Sequence, residues 1–237
     1  MRRIFIETPK DLPNVQYFGS EDIKYLKKVL RLKYSDEIEC FDGKGNLYKG
    51  TLTTNQSGNK LGVFITEVSK TINTNPKNRL IISSFKIERM ETAIEKCTEL
   101  GIDEIILTRT QYSQVDLSLL ERKKNRFTTI IQNASRQAER LFIPEISICE
   151  TLDLSNLNTS SSKKFIATTE TDGQDLSKIT SSYQNEDFYL WIGPEGGFSK
   201  EELLKYNDLG FVNVKLGKNI LRSETACIIG TYLICNR

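Results

Sequence analysis

Among 237 residues that include no histidine, two glycine-bearing stretches near the carboxyl end hold the residue types that could do chemistry. The first is Trp191-Ile192-Gly193-Pro194-Glu195-Gly196-Gly197-Phe198, and the second runs from Leu216-Gly217 through Ile220-Leu221-Arg222-Ser223-Glu224-Thr225-Ala226. Leu190 to Ile192 end an apolar run suited to a buried strand, and Ser199-Lys200-Glu201-Glu202 reads as a capping box opening a helix. The glycines thus sit in a strand-to-helix turn, where the lack of a Cβ permits positive φ and close approach of a ligand, and Pro194 stiffens the bend. In the second stretch Phe211 to Leu216 alternates as a strand, Gly217 breaks it, and Ser223 is placed to cap a helix from Glu224 to about Cys235. Either turn alone is what an ordinary αβ connection looks like. Two of them can meet at one crevice, where open α/β sheets bind ligands, and Glu195, Arg222 and Glu224 would stand beside it.

The missing histidine excludes Ser/His/Asp and Cys/His nucleophiles and His-containing zinc sites, and leaves Asp, Glu, Lys, Tyr and Cys for proton transfer. Five widely spaced cysteines with no CxxC pair suit reduced thiols in a cytosol better than a disulfide framework. No run is apolar and long enough for a membrane span and no signal-peptide pattern appears, so a cytoplasmic protein away from membranes is expected. With a net charge of +2, any nucleic-acid surface must come from local clustering of basic residues.

The elements that must position the two stretches follow from periodicity. Residues 1–70 read mostly as strand: Arg2 to Glu7, Asp36 to Asp42, Asn46 to Thr54 and Leu61 to Val68, which suggests a small barrel. A helix from Ser20 to Arg31 interrupts them, with Ile23, Leu26, Val29 and Leu30 on one face and Lys24, Lys27, Lys28 and Arg31 on the other. Such a basic face is either simply solvated or a phosphate contact. Residues 71–78 are polar, include Pro76 and read as a linker. From 79 to 237 strand and helix alternate: Leu80 to Phe85, a helix carrying Met90, Ala93, Ile94, Cys97 and Leu100, a stop at Gly101, and a strand from Glu104 to Leu107. A helix from about Ser118 to Leu141 follows, with Arg136 and Arg140 among its basic residues. Ile146 to Cys149, Lys164 to Thr169 and Asp187 to Ile192 supply further strands, Gly173 to Thr180 a short helix, and Thr151 to Ser162 a surface loop. The pattern implies parallel crossover units. Thr169 and Glu170 then end a strand on the same edge as the glycine turns.

The two carboxyl-terminal motifs resemble the paired signature of the RsmE family of 16S ribosomal RNA methyltransferases, in the SPOUT superfamily. Val29-Leu30-Arg31-Leu32-Lys33 and Phe41-Asp42-Gly43-Lys44-Gly45 are similar to the recurrent pattern of that family's PUA-like barrel, and Ile87 to Gly101 to its first knot-domain helix. The resemblance implies a PUA-like RNA-binding domain over 1–70 and an α/β trefoil-knot methyltransferase domain over 79–237, in which the closing helix turns Ala226, Ile229 and Leu233 to a core. It further implies S-adenosylmethionine as cofactor, a homodimer, and methylation of a uridine N3 in 16S rRNA or the small subunit. The cofactor would lie on Thr169, Glu170, Ile192, Gly193, Pro194, Gly196, Gly197, Leu216, Gly217, Ile220, Leu221, Thr225 and Ala226. RNA would meet Arg3, Lys27, Lys28, Arg31, Arg89, Arg136 and Arg140. Two departures from the family pattern stand out: no histidine precedes the first motif, and Arg136 occupies a position where an acid is usual.

Uracil N3 carries a weakly acidic proton on the Watson–Crick edge, so the base must be unpaired, relieved of that proton and aligned behind a methyl sulfonium. The donor brings its own leaving group, so no metal is required. Arg222 could stabilise charge on the uracil carbonyls, and Glu195 or Glu224 could take the proton, although a glutamate in such a motif more often orients backbone amides or holds the cofactor than serves as the base. Competing readings are a SPOUT enzyme acting on a ribose hydroxyl or a tRNA base, a nucleotide-binding α/β enzyme, and a non-catalytic RNA-binding or ribosome-assembly protein. Against the nucleotide reading, neither GxGxxG nor GxxxxGK[ST] occurs.

Overall fold

The computed structural model describes residues 3–29, 31–150, 162–169, 173–183 and 185–236. Glu170 and all but Ser162 of the expected loop from Thr151 lie outside the described residues. The chain forms two compact units, Met1–Thr74 with Ser135–Ile143, and Asn75–Ala134 with Pro144–Arg237.

The first unit contains β1 (Arg3–Phe5), β2 (Asn14–Tyr17), α1 (Ser20–Lys24) continuing into a π-helical turn at Tyr25–Val29, β3 (Glu37–Phe41), β4 (Asn46–Thr54) and β5 (Leu61–Lys70). They pair in the order β1-β3-β4-β5-β2, antiparallel except for β1 with β3. Alternation puts Ile38, Cys40, Leu52, Val63 and Ile65 on one face, where Ile4, Ile6 and Leu26 complete a core. Strand β2 is too short to show a period, and the sequence pattern does not predict it. The expected helix to Arg31 ends sooner: Arg31 has φ 52°, outside any right-handed helix.

The turn between β3 and β4 is built on one buried carboxylate. Asp42 Oδ1 accepts from the backbone N–H of Lys44 at 2.9 Å and of Asn46 at 3.3 Å. Its Oδ2 accepts from Thr8 Oγ1 at 3.0 Å, Asn46 Nδ2 at 2.6 Å and Tyr48 Oη at 3.0 Å. Burial raises the Asp42 pKa, but the bonds from Asn46, Lys44, Thr8 and Tyr48 together outweigh it and leave it lowered. Gly43 and Gly45 take φ +73° and +93°, and added Cβ atoms would strike Ile143 and Phe142. This close approach, with Arg136 stacked 4.1 Å over the Tyr25 ring and Arg3 Nη1 donating to the Glu139 carbonyl at 2.7 Å, is why Ser135–Ile143 packs with the first unit.

The second unit contains β6 (Asn78–Ser83), α2 (Ile87–Glu99), β7 (Glu104–Thr108), α3 (Leu117–Gln137), β8 (Glu145–Ile148), β9 (Lys163–Ala167), β10 (Gln174–Asp175), α4 (Leu176–Thr180), β11 (Phe188–Ile192), α5 (Lys200–Asp208), β12 (Phe211–Lys215) and α6 (Ser223–Cys235). Helix α3, whose last three residues belong to the first unit, stops at Gln137 rather than Leu141, because Glu139 adopts φ 55°. All seven strands pair in parallel, in the order β10-β12-β9-β11-β6-β7-β8. The latter part of β6 and the whole of β11 are buried because α6 covers one face and the Trp191, Tyr206, Phe198 and Phe211 rings the other. Helix α6 buries Ser223, Ala226, Cys227, Gly230, Thr231 and Ile234, whereas Ile229, expected in a core, is 37% exposed. The buried stripe is centred on Gly230, where an added Cβ would run into Leu190 of β11, and this close seating turns Ile229 outward.

Removing a helix-interior glycine normally stabilises by about 1 kcal/mol, but at Gly230 the collision outweighs that gain. Gly230→Ala should therefore lower stability by about 1–3 kcal/mol, read by thermal denaturation. Asp42→Asn should cost about 2 kcal/mol at neutral pH through unpaired buried donors. Because the folded pKa of Asp42 is depressed, its contribution is complete above the unfolded pKa and is lost as pH falls through the folded one. Urea titrations at falling pH should accordingly show a flatter acid dependence for Asp42→Asn than for the wild type.

Candidate active site at the carboxyl edge of the parallel sheet

Parallel pairing brings the carboxyl ends of all seven strands to one edge. Register aligns Ile166 of β9 with Trp191 of β11 on one side and with Asn213 of β12 on the other. The bends beginning at Gly193 and Leu216 therefore leave the sheet at nearly the same level, with β9 between their strands, so those strands lie about 10 Å apart. Thr168, whose N–H donates to the Val214 carbonyl at 3.0 Å, and exposed Thr169 leave the sheet between them.

The first bend is fixed from below and behind. Trp191 Nε1 donates to Ser83 Oγ of β6 at 2.9 Å, satisfying the indole in a buried site. Gly197 N–H donates to the Pro194 carbonyl at 2.9 Å, and Gly197 has φ +70°. Neither Gly193 nor Gly196 is among the positive-φ glycines, so of the three that could use that freedom Gly197 does. They are glycine for lack of room: an added Cβ would lie 2.9 Å from the Phe198 ring at Gly193 and 2.9 Å from Tyr112 Cβ at Gly196. The capping box of α5 is complete, with Glu202 N–H donating to Ser199 Oγ at 3.2 Å and Ser199 N–H to Glu202 Oε2 at 2.9 Å.

Residues 109–116, after β7, form a strap against this bend. Glu202 Oε1 accepts from the Gln111 N–H at 2.7 Å, and Ser84 Oγ donates to the Val115 carbonyl at 2.6 Å. Motif and period do not mark this strap in the sequence. The available signal was its position at the carboxyl end of a parallel strand, where ligand-binding loops gather.

In the second bend Gly217 is exposed with no heavy atom within 4 Å of an added Cβ, and Ile220 is 83% exposed. Leu216, Leu221 and Thr225 are half-buried, and Ala226 is buried. Arg222, not Ser223, occupies the N-cap position of α6, without a side-chain cap. Ser223 is instead the first helical residue and is buried.

Arg89, in the first turn of α2, meets the glutamates of both bends. Its Nη1 donates to Glu195 Oε1 at 3.1 Å, and its Nε lies 3.8 Å from Glu224 Oε1. Glu224 Oε2 is buried and has no hydrogen-bond partner. The structure thus brings Glu195 and Glu224 to one guanidinium, and Arg222 stands exposed one residue before α6. Of the other expected RNA contacts, Lys27, Lys28 and Arg31 are exposed in the first unit. Arg3 is bound to Glu39 at 3.0 Å and to Glu139, Arg136 lies on Tyr25, and Arg140 is half-buried. No group of three or more His, Cys, Asp or Glu is placed to hold a metal ion among the described residues.

Comparison with known proteins agrees with this geometry. An RNA methyltransferase domain model matches residues 73–234, and an RNA methyltransferase PUA domain model matches residues 18–64. The chain is 31% identical to ribosomal RNA small subunit methyltransferase E of Rickettsia conorii, over 90% of this chain and 86% of that one. Its fold matches ribosomal RNA small subunit methyltransferase E of Neisseria gonorrhoeae bound to S-adenosyl methionine with TM-score 0.81 and 26% identity, covering 98% and 95% of the two chains. It also matches a Legionella pneumophila methyltransferase in complex with the same cofactor, with TM-score 0.82 and 27% identity, covering 98% and 96%. Similarity to these enzymes extends along nearly the whole chain and both domain models match it, and the protein belongs to the RsmE family of RNA methyltransferases.

Proposed function

We propose that this protein transfers a methyl group from S-adenosylmethionine to N3 of a uridine in 16S ribosomal RNA. The observation that carries the reading is the register of β11, β9 and β12, which sets both signature bends and the start of α6 on one sheet edge.

The residues there suit the cofactor. Gly197 and Gly217 leave open space where a Cβ would stand, so a ligand can approach the backbone closely there. Ile192, Gly193, Pro194, Gly196 and Gly197 would hold it on one side, Leu216, Gly217, Ile220, Leu221, Thr225 and Ala226 on the other, with Thr169 between. When bound, the cofactor supplies an electrophilic methyl carbon whose bond to sulfur breaks with the electron pair leaving on sulfur.

The chain's own part is positioning and proton transfer. Glu224 takes the N3 proton, because Glu195 is already engaged by Arg89 whereas Glu224 keeps one oxygen unpartnered. Arg222, exposed at the N-cap of α6, balances the charge that deprotonation spreads onto the uracil carbonyls. In the first unit Lys27, Lys28 and Arg31 supply phosphate attraction, whereas the charge of Arg3 is taken up within that unit by Glu39 and Glu139. A ribosomal RNA substrate goes with a cytoplasmic protein. A homodimer belongs to the same reading, and α6 exposes Ile229 and Tyr232 one turn apart as apolar surface for a second copy.

Incubation of purified protein with cofactor and either naked 16S rRNA, small subunits or whole ribosomes should yield N3-methyluridine by nucleoside mass spectrometry. Methylation at another atom, or no cofactor binding by calorimetry, overturns the reading. Glu224→Gln should lower kcat by about 100-fold to 10,000-fold, the range for loss of a general base. Sedimentation should give a dimer at micromolar concentration, and a stable monomer would remove that part of the proposal.

A further inference from the structure

We propose that Arg89 is a positioning residue that clamps Glu195 and Glu224 together and so keeps Glu224 Oε2 turned to the substrate base. The assignment rests on the methyl-transfer reading. Three elements distant in sequence converge on this guanidinium: the first turn of α2, the bend after β11 and the first turn of α6. Nη1 reaches Glu195 Oε1 at 3.1 Å while Nε faces Glu224 Oε1 at 3.8 Å, so the planar fork serves two carboxylates through different nitrogens. Glu224 is left with one oxygen directed at Arg89 and the other buried without a partner. A buried acceptor in that state is explained by a donor that arrives with a ligand.

The two contacts differ in what supports them. Helix α2 packs on α6, and Met90, Ala93, Ile94 and Cys97 are fully buried, so the approach of Arg89 to Glu224 is set by the core. Glu195 sits on a bend, and its bond to Arg89 ties that bend to the helix pair. Two carboxylates this close to one cation would repel one another without it. The other guanidinium paired with α2 cannot substitute, because Arg126 is already engaged by Glu91 at 3.0 and 3.2 Å. A cation facing two carboxylates has little charge left for a phosphate, which argues against the role in RNA contact expected from sequence.

The test uses the full-length protein with Arg89→Ala and Arg89→Lys. In the cofactor-free state, hydrogen exchange of the amides over 195–198 should be faster in Arg89→Ala than in the wild type, since the bend has lost its tether. With cofactor and RNA, Arg89→Ala should lose about 100-fold in kcat while KM for RNA changes by less than about threefold. Added guanidinium ion should recover about tenfold of the lost kcat, and Arg89→Lys should fall between alanine and wild type because it keeps the charge without the fork. If Arg89→Ala does not fold, Arg89→Lys and Arg89→Gln carry the same comparison. Unchanged exchange over 195–198, or a raised KM with kcat intact, overturns the clamp. A wild type that neither binds the cofactor nor methylates overturns the methyl-transfer reading and the clamp with it, whereas with an active wild type any failure bears on Arg89 alone.

Discussion

Parallel hydrogen bonding of β9 to both β11 and β12 is the constraint that holds the site together. A strand-to-helix bend can hold a ligand only on one side, and its complement here is encoded about 25 residues further along the chain, at the end of a strand that never pairs with β11 directly. Strand β9 supplies the spacing, and its register levels the two bends to within a residue or so. Had β12 paired antiparallel, Leu216 to Ala226 would have left at the opposite edge of the sheet. Arg222 and Glu224 would then stand a strand's length away from Glu195.

The two edges of this sheet are used differently. At the amino edge, Arg79 of β6 bonds Glu104 at 2.9 Å and Asp187 at 2.9 Å and lies 4.7 Å over the Tyr189 ring, so its charge is taken up in joining β6 to its two neighbours. At the carboxyl edge, Arg89 likewise faces two carboxylates, but one of them retains a buried oxygen without a partner. The physical difference is satisfaction: one cluster is closed, and the other is left open at one buried oxygen. Close packing supports the open one. Gly230 lets α6 sit against Leu190, which fixes where α6 begins, and the Phe198 and Tyr112 side chains press on Gly193 and Gly196, which fixes the bend it faces.

The amino-terminal unit solves a different problem with similar means. A small sheet has a small core, and its sharpest turn is held by a carboxylate rather than by apolar packing. Asp42 receives five donors, and burial together with the Asp42 bond and charge pushes the Tyr48 phenol up to about 12. The same turn receives Phe142 and Ile143 at glycines too close-fitting for a side chain. The first unit is thereby completed by residues that follow α3, a long-range dependence that no local pattern announces.

Element types are legible in the chain alone, because period and capping are local properties. The alternation of β4, the helical spacing of Met90 to Leu100 and the capping box at Ser199 to Glu202 all appear in the structure, and the two long motifs marked the family. Elements without a local period were illegible, among them four-residue β2, the strap over 109–116 and the left-handed Arg31 and Glu139 that end helices early. Which glycines serve conformation and which serve room emerges on folding, since it depends on Phe198 and Tyr112 packing onto the bend. Folding likewise turns Arg89, which the sequence reading assigns to RNA, toward Glu195 and Glu224. Charge pairing across more than a hundred residues is fixed by which strands are neighbours, and neighbourhood is a property of the folded sheet, not of the chain.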